Sequence, residues 1–260
     1  MEEIEFATAW KTYQERVNIR DMFIQSLPRI KDDLPGLSDI KSCVFIGTGY
    51  GRLELDFVGL YGCLQNVTDI ASVEPDEDYM AKFKRRVSQL FPTVRATFYQ
   101  EKAEDWKGTD YPVDAVTMFD CLEINYHIDY PVVFKKLFDN VVASGGYVFL
   151  FLFQYDVAYP IPSIVQAMKR LKIPVPDFTE SDVIRQMMIE AGFELCYDLP
   201  VHCNMNCEKL DDDFMSVFVC LSRASNGEAT LEEVREVVEE EFGGRKSDPY
   251  NMHFIAFRKP

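Results

Sequence analysis

The segment with the most distinctive chemistry is a glycine-rich turn, Gly47-Thr48-Gly49-Tyr50-Gly51. It follows an apolar run, Ser42 to Ile46, that predicts a β-strand, and it precedes Leu53 to Leu64, which predicts a helix. Glycines allow the backbone at such a turn to come close to a ligand, and a helix N-terminus offers N–H groups that lack helical partners. The turn is therefore a candidate ligand-binding loop, with a purely structural tight turn as the alternative.

An acidic residue, Glu74, follows the next predicted strand, Asp69 to Val73. A carboxylate at this position of an α/β fold can accept hydrogen bonds from the two hydroxyls of a ribose. Together with the glycine turn it predicts a cofactor that contains adenosine, whereas a solvated residue at a helix start is the alternative for Glu74. The glycine spacing is G-x-G-x-G and the dinucleotide fingerprint is G-x-G-x-x-G, so S-adenosylmethionine is favoured over NAD.

The elements that must position these residues alternate along the chain. Alternating strands and helices predict an α/β fold with a doubly wound, mostly parallel sheet that helices cover on both faces. The uninterrupted apolar run Tyr147 to Phe153 is typical of a strand buried on both sides. The predicted strands are 42–46, 69–73, 94–99, 114–119, 147–153, 193–199 and 252–257, and the predicted helices from the glycine turn onward are 53–64, 76–90, 130–142, 182–190 and 231–242.

A single domain of residues 1–260 is expected, because neither a linker nor an internal repeat divides the chain. Residues 1–36 are predicted to be an N-terminal helical region, since Phe6, Trp10, Tyr13 and Val17 fall on one stripe of a helix. We expect this region to cover the substrate. Residues 37–155 are predicted to be the cofactor-binding core. Residues 156–260 are predicted to supply substrate-side helices and terminal strands, with 200–250 as an insertion before the last strand.

Composition excludes several classes of function. The chain has 43 acidic against 27 basic residues, a net charge of −16, so a basic surface for nucleic acid is not expected. The longest apolar run is far shorter than the about 20 residues of a membrane helix. The N-terminus lacks the pattern of a secretory signal, so the seven cysteines indicate reduced thiols in the cytoplasm. His202, Cys203 and Cys207 have no second ligand pair at suitable spacing, and no metal site is predicted.

The segment Val44 to Gly51 resembles the first motif of the class I S-adenosylmethionine-dependent methyltransferases. The resemblance implies a Rossmann-like, seven-stranded sheet whose last strand is antiparallel, and S-adenosylmethionine as the cofactor. Three further segments are similar to the histamine N-methyltransferase family: Val73 to Lys84, Phe178 to Asp182 and Cys196 to Leu199. This similarity extends from about residue 15 to the C-terminus and implies a monomeric N-methyltransferase.

The same resemblance implies a set of cofactor contacts. The three glycines of the turn would contact the methionine part of the cofactor, Glu74 the ribose, and Phe119 would flank the cofactor. Tyr79 stands where the family has a glutamine, and Ala103 stands where it has a serine beside the adenine. The implied cofactor-binding residues are Gly47, Thr48, Gly49, Gly51, Glu74, Pro75, Tyr79, Ala103 and Phe119.

The implied catalytic residues are Glu15, Asp120 and Asn251. Glu15 matches a carboxylate that binds the substrate amine, Asp120 replaces a glutamine that hydrogen-bonds the substrate ring, and Asn251 corresponds to an asparagine of the terminal strand. The implied pocket walls are Phe6, Tyr126 and Phe218, with ordinary core packing as the alternative for Phe218. Helical geometry places Glu15 about half a turn from the Phe6 stripe, so both face one pocket only if the helix breaks between them.

Methyl transfer to nitrogen is an in-line displacement, which requires a neutral lone pair held against the methyl carbon. An imidazole nitrogen is nucleophilic near neutral pH, whereas an aliphatic ammonium must first lose a proton, which Asp120 can accept. With a histamine-like substrate, Glu15 would bind the ammonium and Asp120 would accept the imidazole N–H. With another amine, Asp120 would bind the reacting amine itself. The negative net charge favours a small cation in either case, and a non-catalytic amine-binding protein or an NAD-dependent oxidoreductase are the remaining alternatives.

Overall fold

A computed structural model describes residues 16–59, 62–119, 121, 129–153, 162–174, 180–208, 210–224 and 227–260. Within these residues, seven strands form one sheet in the order β3-β2-β1-β4-β5-β7-β6. The strands are β1 Ser42–Ile46, β2 Asp69–Val73, β3 Arg95–Tyr99, β4 Val113–Phe119, β5 Val142–Phe153, β6 Glu194–Asn206 and β7 Ser247–Arg258. The α-helices are α1 Ile19–Asp33, α2 Arg52–Val58, α3 Glu77–Leu90, α4 Tyr130–Lys136, α5 Pro162–Arg170, α6 Ser181–Glu190, α7 Asp212–Ala224 and α8 Leu231–Phe242. None of the helices in this described part of the chain is long and apolar enough to cross a membrane.

The central strands are parallel and the last strand is antiparallel. Val44 of β1 lies opposite Ala71 of β2 on one side and Val116 of β4 on the other. Strand β7 runs against β5, with Phe254 opposite Phe151. The predicted doubly wound, mostly parallel seven-stranded sheet with an antiparallel last strand is confirmed. Because parallel strands end at a common edge, the residues that follow β1, β2 and β4 meet there.

Both faces of the central sheet are covered by apolar side chains. On one face, Phe23 of α1 and Phe57 of α2 each place their ring centroid 5.3 Å from that of Phe119. On the other face, Ile46 and Met118 belong to a buried cluster to which α4 and α6 also contribute. This double coverage explains why β4 is buried along nearly its whole length and why the second half of β5 is an uninterrupted apolar run.

Strands β6 and β7 extend well beyond their predicted bounds. Residues 200–250, expected as an insertion, supply the second half of β6 and the first part of β7 as well as α7 and α8. From Leu199 to Asn206, buried and exposed residues alternate, which is the period-two pattern of a strand covered on one face. Helix α2 is shorter than predicted and ends at Val58, while the helix expected over 130–142 is α4 followed by a π-helical turn, Leu137–Val141.

The chain divides into two compact units. One comprises residues 23–156, 178–201 and 252–260 and holds β1 to β5, the glycine turn and Glu74. The other comprises residues 1–22, 157–177 and 202–251 and holds α5, α7 and α8. In this second unit the Thr230 hydroxyl accepts the Glu233 N–H at 3.2 Å and the Glu233 carboxylate accepts the Thr230 N–H at 2.8 Å. These two hydrogen bonds form a capping box at the start of α8. The division at residues 36 and 155 stays a prediction.

Candidate functional site

The glycine turn follows β1 at the carboxyl edge of the sheet, and its glycines have three different surroundings. A Cβ atom on Gly47 would lie 2.6 Å from the Cβ of Cys121, and one on Gly51 would lie 2.3 Å from the Phe83 ring. A Cβ on Gly49 would meet no atom of the described residues within 4 Å, although the φ of +50° also favours glycine there. The outer glycines are thus required by close packing. Within the described part of the chain the space in front of Gly49 is open, so that a ligand can approach its backbone.

Glu74 connects the end of β2 to the glycine turn. Its carboxylate accepts the N–H of Gly49 at 2.7 Å and the N–H of Asp76 at 3.1 Å, while the side chain is buried. Burial raises the pKa of Glu74 above its ordinary value, and the hydrogen bonds from Asp76 and Gly49 offset only part of that rise. Because each carboxylate oxygen has two lone pairs, the group can still accept hydroxyl donors.

Thr48 supports the turn from inside the fold. Its hydroxyl oxygen lies 2.5 Å from the hydroxyl oxygen of Ser72, and both residues are buried. The Thr48 side chain is therefore engaged with β2, and the turn is fixed on the sheet side by a hydrogen bond as well as by packing. Sequence patterns do not indicate this pair, because Ser72 occupies an inward position of a strand that otherwise carries apolar residues there.

Tyr50 of the glycine turn lies close to Tyr79 at the start of α3. The ring centroids of Tyr50 and Tyr79 are 6.0 Å apart, and the Tyr79 N–H donates to the Asp76 carboxylate, which caps the helix, at 2.8 Å. Arg86, about two turns further along α3, donates to the Tyr50 carbonyl at 2.8 Å. Pro75, between Glu74 and the cap, is exposed. These contacts hold the outer side of the turn against α3, and Arg86 is a positioning residue that sequence reasoning missed.

Ala103 lies in a short turn after β3, and this turn is held by a lysine from α4. The Nζ of Lys136 donates to the carbonyls of Ala103, Glu104 and Trp106 at 2.9, 2.6 and 2.6 Å. Phe119, at the end of β4, is 3% exposed and belongs to the aromatic cluster around Phe23. The predicted cofactor residues therefore lie after β1, β2, β3 and at the end of β4, along one edge of the sheet.

The predicted substrate residues are only partly within the described chain. Phe6, Glu15, Asp120 and Tyr126 lie outside the described residues. Asn251, on β7, is exposed, and its side-chain oxygen lies 2.7 Å from Nδ1 of His202. Phe218, on α7, is 2% exposed and packs its ring 5.6 Å from that of Phe214. Among the described residues, no group of three His, Cys, Asp or Glu side chains could hold a metal ion.

A second charged cluster, also missed from the sequence, joins β6, β7 and α6. The carboxylate of Asp198 lies 2.6 Å from Nδ1 of His253 and 2.8 Å from the guanidinium of Arg185. Burial raises the pKa of Asp198, but the hydrogen bond from His253 and the charge of Arg185 outweigh it, so the pKa is lowered overall. Nε2 of His253 is buried and has no hydrogen-bond partner in the described structure.

Comparisons with solved structures identify this architecture. A candidate methyltransferase from Bacillus halodurans C-125 superposes with a TM-score of 0.64 at 16% identity, over 91% of this chain and 98% of that one. The chain has the class I methyltransferase fold. Magnesium protoporphyrin IX methyltransferase from Synechocystis PCC 6803, with bound S-adenosylhomocysteine, gives 0.54 at 12% identity over 94% and 85% of the two chains. A candidate sarcosine dimethylglycine methyltransferase from Galdieria sulphuraria gives 0.54 at 15% identity over 92% and 84%.

At the level of sequence, no family model and no curated protein matches the chain. The likeness to this methyltransferase fold is therefore one of architecture, and architecture alone does not determine what a fold catalyses. The functional argument has to come from the residues at the carboxyl edge of the sheet.

Proposed function

We propose that the chain is an S-adenosylmethionine-dependent methyltransferase. The observation that carries the proposal is the buried Glu74 carboxylate, bonded to the N–H of Gly49 at the carboxyl edge of a class I methyltransferase sheet. In open α/β sheets, ligands bind outside the carboxyl ends of the strands where the strand order reverses. Here that point lies between β1 and β4, next to the glycine turn.

The described residues fit the nucleoside part of this cofactor. Glu74 can accept both ribose hydroxyls, and the open space in front of Gly49 admits a group that a side chain would block. The turn that contains Ala103 follows β3, next to Glu74, and would receive the adenine. When bound, S-adenosylmethionine would supply an electrophilic methyl carbon. The task of the protein is then to hold the acceptor nitrogen in line with that carbon and to exclude water.

We further propose that the acceptor is a small cationic amine or an imidazole compound of the histamine type. Support comes from the sequence. Glu15 matches a carboxylate of the N-methyltransferase family that the chain resembles, and Asp120 places a second carboxylate where that family has a glutamine. The net charge of −16 also attracts cations. A monomer in the cytoplasm is part of this proposal.

Calorimetric titration with S-adenosylhomocysteine tests the cofactor. Saturated protein is then titrated with histamine, histidine and a series of aromatic and aliphatic amines, and NAD is titrated in parallel. Micromolar binding of S-adenosylhomocysteine and preference for one amine support the proposal. Failure to bind S-adenosylhomocysteine at about millimolar concentration would refute it. Binding of amines without any radiolabelled methyl transfer would instead indicate a non-catalytic binding protein.

A further inference from the structure

A lysine at the end of α4 makes an unusual set of contacts with the turn that follows β3. The ammonium of Lys136 has three N–H donors, and three backbone carbonyls of residues 103, 104 and 106 lie within 2.9 Å of its nitrogen. We propose that Lys136 is a positioning residue that shapes this turn to receive the adenine of the cofactor. This inference rests on the proposed function and adds to it a residue outside the cofactor contacts.

The turn is placed beside the ribose-binding carboxylate by the pairing of two strands. Val73 of β2 lies opposite Tyr99 of β3, and the N–H of Glu74 donates to the Tyr99 carbonyl at 3.1 Å. The chain that leaves β3 therefore starts next to Glu74. A base attached to a ribose at Glu74 must lie against one of the neighbouring loops, and the turn at 102–106 is the loop on the β3 side.

By itself this turn is too short to be stable. Its internal hydrogen bonds run from the N–H groups of Asp105 and Trp106 to the carbonyl of Lys102, at 3.1 and 3.0 Å. A single helical turn fixes several backbone dihedrals for few hydrogen bonds, which is the costly part of helix formation. Trp106 anchors one end, since its side chain is 1% exposed and its ring centroid lies 5.7 Å from that of Tyr99. Lys136 restrains the rest of the turn, because its ammonium donates to three of the turn's carbonyls at once.

The direction of the peptide groups gives the turn a binding face. In a trans peptide unit the C=O and the following N–H point in opposite directions. Because the Ala103 carbonyl points at Lys136, the N–H of Glu104 points away from it. A positive charge on the carbonyl side also polarises this peptide unit, so that the N–H of Glu104 becomes a stronger donor. The next N–H, of Asp105, already donates to the Lys102 carbonyl. The Glu104 N–H is thus the donor that suits a ring nitrogen of a base.

The ammonium of Lys136 is partly buried. Burial lowers the pKa of Lys136, and the acidic residues Glu104 and Asp105 only partly compensate. The neighbouring Lys135 has different contacts, because it is exposed and pairs with Asp139 one turn along. The two lysines therefore form a matched pair for mutagenesis, equal in charge and helix position but different in contact with the turn.

The test uses the full-length protein and four variants: Lys136→Met, Lys136→Gln, Lys136→Arg and Lys135→Met. S-Adenosylhomocysteine and adenosine are titrated calorimetrically, and the melting temperature of each ligand-free variant is recorded. We expect Lys136→Met to raise the Kd of both ligands by the same factor, about tenfold, because the loss lies in the nucleoside they share. Lys136→Arg should recover part of the affinity, since it restores charged donors. Lys135→Met should bind both ligands as the wild type does.

Three results would overturn the inference. The first is wild-type affinity for adenosine in Lys136→Met, and the second is a loss confined to S-adenosylhomocysteine. The third is an equal loss in Lys135→Met, which would show a general effect of charge. If Lys136→Met does not fold, Lys136→Gln, which keeps a shorter neutral donor, is judged by the same criteria. Failure of the wild type to bind S-adenosylhomocysteine would instead refute the proposed function, and the two failures are thus distinct.

Discussion

Glu74→Gln should separate cofactor affinity from fold stability. Burial raises the pKa of Glu74 above its ordinary value in the folded protein. For an acid with a raised folded pKa, the contribution to stability is present below the unfolded pKa and is lost as the pH rises through the folded pKa. At neutral pH the buried charge is therefore a liability to the ligand-free fold. A neutral glutamine removes that liability.

The magnitudes follow from the hydrogen bonds of the carboxylate. Glutamine has one acceptor oxygen, so either the N–H of Gly49 or the N–H of Asp76 loses its partner, at about 1 kcal/mol, and relief of desolvation offsets this loss. The net change in the free energy of unfolding near pH 7 should be within about 1 kcal/mol. For the cofactor, the loss of one charge-assisted bond to a ribose hydroxyl is about 1.5–3 kcal/mol, or roughly tenfold to hundredfold in Kd.

The assay pairs calorimetric titration of S-adenosylhomocysteine with urea unfolding at about pH 5 and about pH 7.5. Glu77→Gln is the matched control, because Glu77 is exposed at the start of α3 and carries the same charge. The stability of Glu74→Gln relative to wild type should increase from the lower to the higher pH. Equal cofactor affinity in the two variants would refute the ribose assignment. A relative stability that falls with rising pH would refute the electrostatic argument.

Three further predictions concern stability. Gly51→Ala should destabilise the protein by more than the roughly 1–2 kcal/mol of left-handed strain, since the new Cβ would also meet the Phe83 ring at 2.3 Å. A urea unfolding curve that gives the wild-type free energy of unfolding would contradict this prediction. Asp198→Asn should lower the free energy of unfolding most near neutral pH. The pKa of Asp198 is lowered in the folded protein, so its pairing with His253 stabilises the fold above the unfolded pKa, and this stabilisation is lost as the pH falls through the folded pKa. An equal loss of unfolding free energy in acid would contradict the argument. Thr230→Ala should lower the free energy of unfolding by about 1 kcal/mol through loss of the α8 capping box, with unchanged affinity for S-adenosylhomocysteine, and an unchanged thermal melt would count against it.

Local patterns in the sequence predicted all seven strands and most of the helices, but neither α5 nor α7. They also pointed to the glycine turn and to Glu74. The glycine turn, the acid after β2 and the capping box at Thr230 depend on residues within a few positions of each other, where backbone sterics and short-range hydrogen bonds decide the conformation. The apolar run of β5 likewise predicted a sheet covered on both faces. The bounds of β6 and β7 were not predictable in this way, because half-covered strands with polar outer residues resemble loops in sequence.

Tertiary structure alone decided which distant groups meet. Lys136 reaches carbonyls about thirty residues earlier in the chain, and Asp198 meets His253 from a different strand and Arg185 from a helix. The Glu74 carboxylate accepts the N–H of Gly49 because the parallel register of β1 and β2 brings the ends of these strands to the same level. Sequence spacing carries no record of such contacts, since they depend on which strands become neighbours and in what register. The sequence determined the residues available at the carboxyl edge of the sheet, and packing of the sheet determined their partners, their burial and hence their charges.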